Sequence, residues 1–116
     1  MAHRIFGVSV AKVYPAWLAK VEKKGRSKAE LDAVIGWLMG YDPAGLEAVL
    51  AEGLSLERFF AEAPRLNPAR EQVTGVVCGV RIEAISDPLM KEIRILDKLV
   101  DELAKGRPLA KVLREG

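Results

Sequence analysis

Ser27-Lys28-Ala29-Glu30-Leu31-Asp32-Ala33-Val34-Ile35-Gly36-Trp37-Leu38-Met39-Gly40 reads as one complete helix with both ends marked. Ser27 and Glu30 stand three apart, the spacing of a capping box that satisfies two orphan N–H groups reciprocally. Leu31, Val34, Ile35 and Leu38 fall at i, i+3, i+4 and i+7, so they share one face of a helix. Gly40 can adopt the left-handed conformation that ends one. Gly36, inside the stretch, costs about 1 kcal/mol relative to alanine and suggests a close backbone approach.

The same punctuation extends in both directions. Upstream, Tyr14-Pro15 predicts a helix start, because the missing proline N–H would be unpaired there. Trp17, Leu18 and Val21 form its stripe, and Gly25 stops it. Ile5 to Val13 fits either a helical turn or a short extended arm. Downstream, Asp42-Pro43 predicts a short helix with Leu46, Val49 and Leu50, ended by Gly53. Ser55 caps another with Leu56, Phe59 and Phe60, which stops near Pro64. Asp87-Pro88 opens the longest helix, with Leu89, Ile93, Leu96, Val100 and Leu103 on its stripe and Gly106 at its end. Pro108 starts a last short helix with Leu109, Val112 and Leu113.

Residues 67 to 85 carry conflicting signals. Asn67-Pro68 reads as a helix start, and Val73, Val76, Val77 and Val80 keep helical spacing. Yet Val73 to Ile82 is rich in β-branched residues and holds two glycines, which favours a strand. A strand needs a partner, and no second strand is evident. The reading is therefore helix, with Gly75 and Gly79 allowing close packing; a short strand near 73–82, giving an α+β fold, is the alternative. The expected architecture is an all-α single domain over residues 1–116, a bundle of about six helices. Its expected core is Trp17, Leu18, Leu31, Val34, Ile35, Leu38, Phe59, Phe60, Ile93, Leu96, Val100 and Leu103.

Composition narrows the class. The chain has 116 residues, half of them apolar, with a net charge of +2. That apolar fraction is too high for a disordered chain. One cysteine excludes an internal disulfide framework and a multi-cysteine zinc site. No run approaches the ~18 apolar residues of a membrane span, and Met1 to Phe6 has no apolar signal core. A soluble cytoplasmic protein, without membrane association, is the expectation.

The charge is unevenly placed. Residues 1–28 hold seven cations against Glu22, a balance of +6, while residues 29–64 hold seven carboxylates against Arg58, a balance of −6. Such asymmetry marks either a polyanion site or two faces that attract each other within the fold.

Several runs carry a family resemblance. Val13-Tyr14-Pro15, Lys23-Lys24-Gly25-Arg26-Ser27-Lys28, Trp37-Leu38-Met39-Gly40-Tyr41-Asp42, Phe59-Phe60-Ala61-Glu62-Ala63-Pro64, Asn67-Pro68, Thr74-Gly75-Val76-Val77-Cys78-Gly79-Val80-Arg81 and Asp87-Pro88-Leu89-Met90 resemble a bacterial family of small proteins, domain of unknown function 2200. Met39 departs from the threonine expected there. The resemblance covers nearly the whole chain. It implies a compact bacterial protein with no assigned activity, and no catalytic residues carry over.

Function is otherwise weakly marked, and the chain is read as leaning away from catalysis. The one histidine, His3, lies near the terminus, far in sequence from Cys78, and a reactive thiol would need nearby positive charge, for which Arg81 is the local candidate. Asp97, Asp101 and Glu102 lie beside Lys98 and Lys105, which reads as an ion-paired helix face rather than a metal site. Gly75-Val-Val-Cys-Gly79 lacks the Lys-Ser/Thr ending of a phosphate loop. No cofactor or metal is expected.

The leading candidate site is the loop Lys23, Lys24, Arg26, Ser27 and Lys28. It opens onto a helix N-terminus, where free N–H groups and the dipole favour an anion such as phosphate or a nucleic-acid backbone. Glu30 and Asp32 argue against a recognition helix in the DNA major groove, so any contact would be backbone-directed. The bland alternative is a solvated loop or one facing the acidic segment. A second reading is a homo-oligomer or partner-binding scaffold that uses the long helix through Ile95 and Leu99, with Trp37 as an anchor. A third is a small enzyme with a pocket near Cys78 or Trp37.

Overall fold

The computed structural model describes residues 4–77 and 79–114. Six α-helices follow one another: α1 (Val10–Glu22), α2 (Lys28–Met39), α3 (Pro43–Glu52), α4 (Leu56–Ala61), α5 (Pro88–Ala104) and α6 (Leu109–Val112). A two-stranded antiparallel sheet, β1 (Val76–Val77) and β2 (Val80–Arg81), lies between α4 and α5. Turns of 3₁₀ helix cover Arg4–Gly7, Pro68–Gln72 and Ile82–Ala84.

The caps read from the sequence form as expected. The Glu30 N–H donates to Ser27 Oγ at 3.2 Å, and the Ser27 N–H donates to Glu30 Oε1 at 3.1 Å, closing the capping box. Asp42, Ser55 and Asp87 each accept the N–H three residues on, at 2.6, 3.2 and 2.9 Å. Gly40 takes φ +83 after α2. A Cβ on Gly36 would stand 3.2 Å from the Tyr41 carbonyl oxygen, the close backbone approach that its position suggested.

Helix α1 starts earlier than Pro15 predicts. Ser9 is its N-cap, accepting from the Ala11 N–H at 3.1 Å, and Pro15 sits inside it. The cause is tertiary. Ser9 bridges Ser55, with Val10 N–H donating to Leu54 O and Leu56 N–H to Val8 O, both at 2.8 Å. That bridge fixes the chain entering α1 and extends its buried stripe to Val10 and Tyr14. Pro15 faces solvent and forfeits the bond that its position would donate to Ala11.

Residues 73 to 85 correct the helical expectation and follow the short-strand alternative. Val76 pairs with Arg81 and Val77 with Val80, so the run supplies its own partner. Gly75 at φ +101 and Gly79 at φ +76 are turn positions, not helix-packing sites. The hairpin is anchored by the Ile82 N–H donating to Gly75 O at 2.8 Å and by Glu83 accepting the Gly75 N–H at 2.7 Å.

Helix α5 is central. It touches α1, α2, α4, α6, β1 and the turn at 82–84. Ten of the twelve expected core residues are buried, while Trp17 and Leu18 are half-buried against the same cluster. Among the described residues, no helix is long and apolar enough to cross a membrane.

Candidate functional site

The loop at residues 23–28 is held by local chemistry first. After α1, the Arg26 N–H donates back to Val21 O at 2.9 Å, and Gly25 turns at φ +82. The capping box then places the Glu30 carboxylate over the start of α2, so this N-terminus already carries an anion of its own chain. The Arg26 guanidinium hydrogen-bonds that carboxylate at 2.6 Å and, first among the causes, holds it below the ordinary glutamate range. Arg26 also donates to Leu103 O at 3.2 Å and to Arg107 O at 2.7 Å. It is a clamp between the loop and the end of α5.

The other loop residues divide in the same way. Ser27 Oγ is used by the cap. Lys28 Nζ lies 2.6 Å from Asp32 Oδ2 and 5.6 Å from the centre of the Tyr14 ring. Lys23 and Lys24 are exposed and make no ion pair among the described residues. They follow Lys20 by three and four positions, which puts all three on one side of the helical turn. Lys20 Nζ and Lys105 Nζ both reach Asp101, at 3.2 and 3.0 Å.

Residues 20–28 therefore meet residues 103–107 in space. The segment 105–114 carries Lys105, Arg107, Lys111 and Arg114 with no carboxylate. Most carboxylates at this end are used, while Glu22 is exposed and makes no ion pair among the described residues. Glu102, 7% exposed, is gripped by Arg107 at 3.1 Å and Arg114 at 2.7 Å. Burial pushes Asp101 up, but the bonds from Lys105 and Lys20 outweigh it and hold the carboxyl below its ordinary range. The result is one positively charged end built from both ends of the sequence.

The acidic segment does not cover it. Its pairs with the basic segment are Arg26–Glu30 and Lys28–Asp32, both at one helix start. Glu47, Glu52 and Glu57 are exposed and make no ion pair among the described residues.

The Asp32 carboxylate that takes Lys28 also joins α2 to α1. The buried Tyr14 donates its hydroxyl to Asp32 Oδ1 at 2.5 Å. Burial, and then that bond, push Tyr14 up to about 12, so it remains a donor at neutral pH and cannot act as a base. Asp32 borders a depression of about 430 Å³ that continues to Tyr41, Pro43 and Leu46. Past Gly36 a second depression, of about 330 Å³, is lined by Trp37, Gly40, Arg65, Asn67 and Pro68.

The partner-contact expectation meets a physical obstacle. Ile95 and Leu99 are 1% and 0% exposed, because α5 is covered on most sides by its own chain. Trp37 alone of the three keeps surface. Cys78 and His3 lie outside the described residues. The acidic run on α5 is ion-paired, with Arg94 on Asp97 at 3.1 Å and the partners already given on Asp101 and Glu102. Burial raises Asp97 against the pull of Arg94. Among the described residues no three His, Cys, Asp or Glu side chains gather to hold a metal.

The sequence reading paired Lys105 with the acidic face of α5, and the structure places it 3.0 Å from Asp101. It missed the place of Lys105 in the basic end, and it missed Arg107 and Arg65. Lys105 and Arg107 had a signal, since four cations in 105–114 are hidden by the near-neutral balance of the whole C-terminal stretch. Arg65 had none.

Comparison with known proteins adds kinship without an activity. A solved structure described as the crystal structure of uncharacterized protein SP1917 is similar to this chain at 45% identity and a TM-score of 0.91, over 99% of this chain and 94% of that one. A search of curated proteins finds no match. A family model described as an uncharacterized protein conserved in bacteria matches residues 4–114, and the chain belongs to that family, domain of unknown function 2200.

Proposed function

We propose that this is a non-catalytic binding protein whose positively charged end takes a phosphate-rich polyanion, such as a nucleic-acid backbone. The observation that carries the reading is the Arg26 clamp, which joins the loop 23–28 to the basic segment 105–114. Lys23 and Lys24 then stand beside Lys20 and Lys105 as cations free to contact phosphate. The roles within the loop are unequal. Arg26, Ser27 and Lys28 shape it, while Lys23 and Lys24 carry the contact. The exposed large apolar side chains among the described residues are Val76 and Val80, at 47% and 36%, both on the hairpin. A polar, charge-led interaction suits that surface better than self-association through α5.

Binding of single- and double-stranded oligonucleotides, followed by fluorescence anisotropy from low to moderate salt, tests this. The expected result is affinity that falls steeply with salt, by counterion release. Lys23→Ala and Lys24→Ala should each reduce the salt slope by about one unit. Undetectable binding at low salt, or binding unchanged in the double variant, overturns it.

A further inference from the structure

We infer that Trp37 and Arg65 form a second, separate site, for a small ligand that combines a planar ring with an oxyanion. The pocket is built on fixed backbone. The last turn of α2 leaves carbonyls at residues 37, 38 and 39 that the helix cannot satisfy. The loop after α4 takes all three: Asn67 Nδ2 donates to Trp37 O at 3.1 Å, the Asn67 N–H to Leu38 O at 2.9 Å, and the Arg65 N–H to Met39 O at 3.0 Å. Gly40 admits that loop, since a Cβ there would stand 2.8 Å from Arg65 N.

Two consequences follow. The depression of about 330 Å³ lies within the size range of small-ligand pockets. And its wall does not present a bare, negative helix end, because the carbonyls are already occupied. Against that background Arg65 stands out. Its backbone is pinned, yet its guanidinium makes no ion pair or side-chain hydrogen bond among the described residues. No carboxylate lines the pocket. A guanidinium with open donors takes a carboxylate or phosphate in a two-pronged fashion, and the half-buried Trp37 lines the same depression, where an aromatic ligand has an indole to pack against. The Pro68 ring supplies further apolar wall.

The shared chemistry admits an aromatic carboxylate or a nucleoside monophosphate, and two probes separate them. Titration of the full chain with benzoate and with adenosine monophosphate is followed by amide NMR shifts. Saturable shifts at Trp37, Gly40, Arg65 and Asn67 with either probe are expected, and the tighter probe names the oxyanion. Arg65→Ala, an exposed change, should weaken binding about tenfold or more. Lys23→Ala with Lys24→Ala should leave it unchanged, which separates this site from the polyanion surface. Shifts that are absent at millimolar probe, that persist in Arg65→Ala, or that map to residues 23–28 overturn the proposal.

Discussion

Single residues decide where this chain can bend and what its charges can reach. Gly40 combines φ +83 with a Cβ position 2.8 Å from Arg65 N, so any side chain there meets both backbone strain and a collision with backbone. Gly25 has nearly the same φ, +82, with nothing within 4 Å. Gly40→Ala should therefore cost about 2–3 kcal/mol in urea unfolding and Gly25→Ala only about 1 kcal/mol, the difference being the price of contact. The Glu30 carboxyl, held low by Arg26 and the Ser27 N–H, makes a second residue-scale prediction. A depressed carboxyl contributes stability that is complete above its ordinary value, 4.5, and is lost as pH falls through its lower folded value. The stability of Glu30→Gln measured against pH should lack that acid-side decline; an unchanged profile would contradict the assignment. Both features were partly legible. The Ser27–Glu30 spacing announces the capping box, whereas the Arg65 backbone beside Gly40 lies 25 positions away and leaves no local trace.

At the scale of elements, punctuation was the reliable signal. Ser27, Asp42, Ser55 and Asp87 each cap the helix they precede, because an N-cap is chemistry within four residues. Elements that rest on distant partners were not legible in this way. Helix α1 begins at Val10 only because Ser9 is held against Ser55. The hairpin at 76–81 kept helical spacing in its valines and is a sheet because Gly79, at φ +76 between the two strands, turns the run back onto itself. The join of α5 to α6 rests on Glu102, buried between Arg107 and Arg114. Glu102→Gln leaves two guanidinium groups short of a counter-charge and should lower unfolding free energy by about 3 kcal/mol. A double-mutant cycle with Arg114 would locate that loss, and a coupling near zero would show the pair to be ornamental.

For the whole molecule, the distribution of charge matters more than its sum. A net +2 conceals a basic end assembled from residues 20–28 and 105–114, while Glu47, Glu52 and Glu57 are exposed without ion pairs among the described residues. The proposed salt-dependent polyanion affinity belongs to this scale, since it needs both chain ends in place. Arg26→Ala should weaken that affinity by more than Lys23→Ala does, because it releases the clamp on Leu103 O and Arg107 O as well as removing a charge. Equal losses in the two variants, read by the same anisotropy titration, would mean that the clamp is irrelevant to binding. The helices, most of their boundaries, ten core residues and the family were in the order of the amino acids, because caps, periodicity and left-handed glycines act over a few residues. The tertiary structure alone decided the start of α1, the pairing of the hairpin, the burial of Ile95 and Leu99, the composite basic end and the Trp37–Arg65 pocket. Each of those depends on groups far apart in sequence, whose meeting is set by how the helices pack around α5.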